Sequence, residues 1–190
     1  MATVDPDTMD ALNLLLEDER ASVEIEVALA NGATTLHERE TLTELGSENV
    51  ENCYTLRDAL TRIGDDVSRR INGIVLHILG LERYDDRLRA YAQHQASVHE
   101  HAEELSRHVT DRELLRILQH VRETSQRAAE WSSQRADEFS ASALLDFRTK
   151  PAPATAKQGG ERESGSPEPH DSTLAGSQDG GSVDGNLDGA

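Results

Sequence analysis

From Pro6 to Phe139 apolar side chains return every three or four positions, the spacing that lines one face of an α-helix. The first line is Met9, Leu12, Leu16, Val23, Val27 and Ala30, and Glu19 fills its one gap. Asp5 suits the cap of this helix, Pro6 its first turn and Asn31-Gly32 its end. A second line lies between Thr34 or Thr35 and Gly64: Leu42, Leu45, Cys53, Leu56, Leu60 and Ile63, with its gap at Asn49 and Asn52 adjoining. A third, over about 85–108, is Leu88, Tyr91, Val98, Ala102, Leu105 and Val109, interrupted at Gln95. A fourth, over about 111–139, is Leu114, Leu118, Val121, Ala128, Ser132 and Phe139, interrupted at Ser125. Each predicted helix therefore carries a polar position near its middle on the face meant for the core.

Between the second and third helices lie about twenty residues, 65–84, that include Ile71, Ile74, Val75, Leu76, Ile78, Leu79 and Leu81. That is too long for a tight hairpin, and its apolar content predicts a short helix packed on the bundle or at a subunit contact. The expected fold is all-α: a four-helix bundle with one long crossover between helices two and three. From Lys150 onward the composition turns to Gly, Ser, Pro, Asp and Glu, which cannot bury enough apolar surface to offset the entropy of ordering. The expected organisation is a helical bundle over 5–145 followed by a disordered acidic tail over 146–190.

Certain stretches resemble the ferritin-like superfamily, in particular a bacterial branch. They are Leu14-Leu15-Leu16-Glu17-Asp18-Glu19-Arg20-Ala21, Cys53-Tyr54-Thr55-Leu56, Ser68-Arg69-Arg70, Arg87-Leu88 and Gln95, within a resemblance covering residues 9 to about 135. In metal-binding members a di-iron site takes one Glu from each of two helices and a Glu-x-x-His pair from each of the other two. Carried onto this chain, the single positions are Glu19 and Gln95, and the paired positions are Asn49 with Asn52 and Arg122 with Ser125. Only Glu19 keeps an ionic ligand. The resemblance thus implies a degenerate site, with Glu19, Asn49, Asn52, Gln95, Arg122 and Ser125 as a buried polar layer in which Arg122 pairs with Glu19.

Further carboxylates on helices one and two, including Glu17, Glu24, Glu26, Glu38, Glu40 and Glu44, are expected mostly on solvated faces. Glu48 and Glu51 flank the second stripe, so a one-residue rotation of that helix would turn one of them toward Glu19. His94 lies beside the third stripe, and imidazole is a good ligand for transition metals. Glu19, Glu48, Glu51 and His94 are accordingly the candidate metal ligands. His94, His99 and His101 lack the i, i+4 spacing with which one helix face chelates an ion.

Charge narrows the choice of partners. With 36 acidic and 19 basic residues the net charge is −17, which repels phosphate backbones and anionic lipid, so neither nucleic acid nor membrane is expected. The single cysteine, Cys53, excludes an internal disulfide framework and any Cys-rich metal site. No export-type start and no apolar span precede the first helix, and a cytoplasmic location is expected. The leading expectation is a non-catalytic helical protein with no cofactor that forms a homo-oligomer. Two alternatives stay open: a metal-binding protein storing or oxidising iron or handling another divalent metal, and an adaptor whose C-terminal tail docks on a protein partner through Val183 and Leu187.

Overall fold

A computed structural model describes residues 5–64 and 66–149, with only the backbone of 143–149. Five helices form within one compact unit: α1 Pro6–Gly32, α2 Leu36–Ile63, α3 Ile74–Gly80, α4 Tyr84–His108 and α5 Arg112–Thr149. Among the described residues there is no strand.

Local chemistry sets the helix ends. Asp5 Oδ1 accepts from the Thr8 amide at 3.0 Å, with Pro6 in the first turn of α1. Thr35 Oγ1 accepts from the Glu38 amide at 3.1 Å, and Glu38 Oε2 reaches back to accept from the Thr34 amide at 3.0 Å. Gly64, at φ 91°, closes α2 in the left-handed conformation. Asp111 Oδ1 takes the amides of Glu113 and Leu114 at 2.9 and 3.0 Å and so starts α5. That helix continues past Phe139 to Thr149, because Ala141, Ala143, Leu144 and Leu145 are strong helix formers and no proline intervenes before Pro151. Of the tail expected over 146–190, residues 146–149 instead continue α5, and the rest lies outside the described residues.

Four long helices make a bundle in which α1 packs on α2 and α4, and α5 packs on the same two. Every neighbouring pair is antiparallel. Glu19 meets Asn52 and Glu26 meets Asn49; Glu26 meets Tyr91 and Ser22 meets Gln95; Glu38 meets Arg135 and Arg62 meets Glu113. Consequently α2 and α4, on one diagonal, run in the same direction, and the chain between them must travel the length of the bundle. It does so along α1. Asn13 Oδ1 accepts from the Ser68 amide at 2.8 Å, the Glu17 carbonyl from the Asn72 amide at 3.3 Å, and the Leu29 carbonyl from the Tyr84 hydroxyl at 3.2 Å. From position 13 to 29 is about 24 Å of helix. Within this crossover α3 lies on α1 and α4 and buries Ile78 completely.

The inward face of α1 departs from the expected line. Val23 is half-buried and Val27 is 55% exposed, while Ser22, Ile25, Glu26 and Leu29 turn inward. Leu12, Glu19 and Glu26 repeat every seven residues, as do Leu15, Ser22 and Leu29, and a seven-residue repeat is what stays on the seam between gently supercoiled helices. The core is divided in two. One cluster contains Leu12, Leu16, Leu56, Leu60, Val98 and Leu118, the other Ile25, Leu29, Leu42, Leu88, Tyr91 and Ala128. Between them on all four long helices lie buried polar residues.

Candidate functional site

The dividing layer is assembled from Glu19, Ser22 and Glu26 on α1, Asn49 and Asn52 on α2, His94 and Gln95 on α4, and Thr124 and Ser125 on α5, all buried. Tyr91 adds its hydroxyl from the edge of the second cluster. Asn52 Nδ2 donates to Glu19 Oε2 at 3.0 Å, and Asn49 Nδ2 donates to Glu26 Oε1 at 3.0 Å. The Tyr91 hydroxyl donates to the same Glu26 Oε1. Gln95 Nε2 donates to the Tyr91 hydroxyl at 2.9 Å and to Ser22 Oγ at 2.8 Å. Ser22 Oγ donates to the Asp18 carbonyl at 3.0 Å and lies 3.3 Å from His94 Nε2. On α5, Ser125 and Thr124 spend their hydroxyls on the Val121 and His120 carbonyls of their own helix.

Helix rotation decides which candidates meet. Asn49 faces inward, whereas Glu48 is half-buried and pairs with Arg127, and Glu51 is exposed. Neither joins Glu19. Arg122 does not pair with Glu19 either: its side chain is about one-third exposed, its Nη2 reaches Glu103 on α4 at 3.9 Å and its Nε is buried without a partner among the described residues, because position 122 faces the α4–α5 seam. His94 is buried, but beside Ser22 rather than beside the Glu19 carboxyl.

The spacing puts Glu26 and Glu38 on solvated faces, yet they are 1% and 2% exposed, and it makes Tyr91 apolar packing although its hydroxyl joins Glu26 to Gln95. The seven-residue step from Glu19 to Glu26 was the available signal.

Burial, opposed by the Asn52 hydrogen bond, pushes the Glu19 carboxyl up to about 8. Glu26 is pushed up to about 8 in the same way, against the hydrogen bonds from Tyr91 and Asn49. Glu38, also buried, behaves oppositely. Burial raises it, but Arg135, with Nε 3.2 Å from Oε1, outweighs that and holds the group below its usual value. The difference is the partner: a guanidinium stabilises the charged form and an amide does so weakly. Burial, and then the neighbouring Glu19, pushes the Cys53 thiol up to about 12, so at neutral pH it is an inert thiol.

Five buried oxygens of this layer have no hydrogen-bond partner among the described residues: Glu19 Oε1, Glu26 Oε2, Asn49 Oδ1, Asn52 Oδ1 and Gln95 Oε1. All are acceptors. Glu26 also borders a groove of about 340 Å³ between α1 and α2 with Val23, Val27, Leu42, Gly46 and Val50, but its Oε2 is sealed from solvent. A Cβ on Gly46 would lie 3.4 Å from that oxygen, an ordinary van der Waals contact, so position 46 sits directly against the carboxyl.

This donor set does not fit a di-iron centre. The layer's imidazole, His94, meets Ser22 rather than a carboxyl, α2 and α4 offer amides where such a centre needs carboxylates, and among the described residues no three His, Cys, Asp or Glu side chains gather as an ion would require. Nor, among the described residues, is any helix long and apolar enough to cross a membrane.

A family model matches residues 6–145, which takes in the whole polar layer and the crossover. The chain belongs to that family, described as Domain of unknown function (DUF6306). No curated protein and no solved structure matches it. The DUF6306 match begins with α1 and ends within α5, so the family's extent follows the bundle.

Proposed function

We propose that this chain is a ferritin-like bundle in which amides and hydroxyls have taken the place of a metal centre, and that its role is structural, as a homo-oligomeric helical unit, rather than catalytic. The long crossover joining two parallel diagonal helices supports the ferritin-like reading, since that connectivity separates it from simple up-down bundles. The observation that carries the rest is the pairing of each central carboxyl with an asparagine, Glu19 with Asn52 and Glu26 with Asn49. The groove between α1 and α2, with Val23, Val27 and Val50 side by side and Val27 and Val50 exposed, supports self-association.

Metal content and Fe(II) oxidation, compared between the parent and Glu19→Ala, test this reading. The expected outcome is no stoichiometric metal and no oxidation above the buffer rate in either protein. Divalent-metal binding is the second reading, favoured by the unpartnered Glu19 Oε1 and Glu26 Oε2. Stoichiometric metal that Glu19→Ala loses would replace the first reading with the second. Light scattering on the eluting protein tests the oligomer, and a monomer at all concentrations removes that part of the proposal.

A further inference from the structure

Hydrogen-bond accounting at the polar layer leaves a one-sided result. Asn52 Nδ2 satisfies Glu19 Oε2, leaving Glu19 Oε1 and Asn52 Oδ1 without donors; Asn49 Nδ2 satisfies Glu26 Oε1, leaving Glu26 Oε2 and Asn49 Oδ1 without donors. In each pair the orphans are one carboxyl oxygen and the carbonyl oxygen of the asparagine already bonded to the other, two acceptors that a single hydrogen on the carboxyl would serve. Buried acceptors left this way are costly. We propose that Glu19 and Glu26 are protonated carboxylic acids in the folded protein at neutral pH, each closing a two-bond acid–amide pair with its asparagine. Glu19 Oε1–H donates to Asn52 Oδ1 and Glu26 Oε2–H donates to Asn49 Oδ1, while the amides donate back. The two protons come from solvent on folding and return to it on unfolding.

The surroundings favour the neutral acids. Ionisable groups facing them are Asp18 on α1, Glu48 and Cys53 on α2, and Tyr91 and His94 on α4. Those of α1 and α2 are acids or an unionised thiol, and the His94 imidazole is itself held neutral by burial against the pull of Asp18. Inward residues of α5 at the layer are Thr124 and Ser125, which do not ionise. The nearby arginines are directed elsewhere, Arg20 to the Ser68 and Arg70 carbonyls, Arg127 to Glu48 and Arg122 to Glu103 at 3.9 Å across the α4–α5 seam. One shared cation is a poorer solution, because seven residues of α1 separate the two carboxyls by about 10 Å along the helix. The inference does not depend on kinship with ferritins.

The test is an NMR titration of the full chain carrying 13C-labelled glutamate, over about pH 5 to 9, in EDTA and again with millimolar Mg2+ or Ca2+. Two carboxyl carbons are expected to titrate well above the bulk, which titrates near about 4.3. One should be missing in Glu19→Gln and the other in Glu26→Gln. A glutamine amide presents a donor where the protonated acid does, so both variants should melt close to the parent at pH 7, with Glu19→Ala and Glu26→Ala well below. Carboxyls that all titrate with the bulk overturn the proposal. So do glutamine variants as unstable at pH 7 as the alanine ones, or a cation-dependent resonance shift that either glutamine variant abolishes. The parent titration decides even if a variant fails to fold.

Discussion

Tyr91 holds the layer together from α4, since its hydroxyl donates to Glu26 Oε1 and accepts from Gln95 Nε2. Replacing it with Phe keeps the ring and removes both bonds. Tyr91→Phe is expected to lower the unfolding free energy by about 1–3 kcal/mol, the cost of stranding buried polar groups, measured by urea denaturation at pH 7. The inward positions of Asn49 and Gln95 are readable because each interrupts an otherwise apolar line, and Asn52 adjoins the first of these gaps. Glu26 is not, because Val23 and Val27 offer a competing apolar line one step around the helix. Tyr91 fitted its line as an apolar residue, and nothing in the spacing announces a hydroxyl bond to another helix.

At the level of the helix, the ends were the most legible part, because capping is decided by a few adjacent residues. Asp5, Thr35 and Gly64 each act within their own turn. Gly64→Ala would put a Cβ at φ 91°, and a loss of about 1 kcal/mol is expected, read as a lower urea midpoint with unchanged slope. Space is not the reason, since a Cβ there meets nothing within 4 Å. The length of the crossover could be counted, whereas its path along α1 depends on Asn13, Glu17 and Asp18 meeting Ser68 and Asn72, contacts more than forty residues apart in the chain. The inward rotation of α1 likewise depends on its two neighbours.

Over the whole molecule, the buried acids set an unusual pH dependence. Glu19 and Glu26 titrate near 8 when folded against 4.5 as free groups, so between those values the folded state binds more protons than the unfolded one. Their contribution is fully present below about pH 4.5 and is lost as pH rises toward 8, at up to about 1.4 kcal/mol per pH unit for each. Asp85 acts in the opposite sense: its hydrogen bond from Arg83 holds it down to about 2, so its contribution is present above the ordinary aspartate range and is lost as pH falls toward 2. Glu38, lowered by Arg135 against its burial, adds to that acid-side loss. Thermal melts from pH 3 to 9 are expected to peak near about pH 5 and to fall steadily toward pH 8. The net charge of −17 adds repulsion on the alkaline side, so salt should raise the melting temperature more at pH 8 than at pH 5.

The crossover also bears on how quickly the bundle forms. Because the chain changes sides only once, α1 with α2 and α4 with α5 are two hairpins whose contacts are local, and local contacts form fast. The slow step is then the meeting of the hairpins, which brings Tyr91 and Gln95 against Glu26 and Ser22 and completes the drying of the carboxyls. Proton uptake belongs to that late encounter, so the refolding rate should slow as the solvent becomes more alkaline, while formation of each hairpin does not.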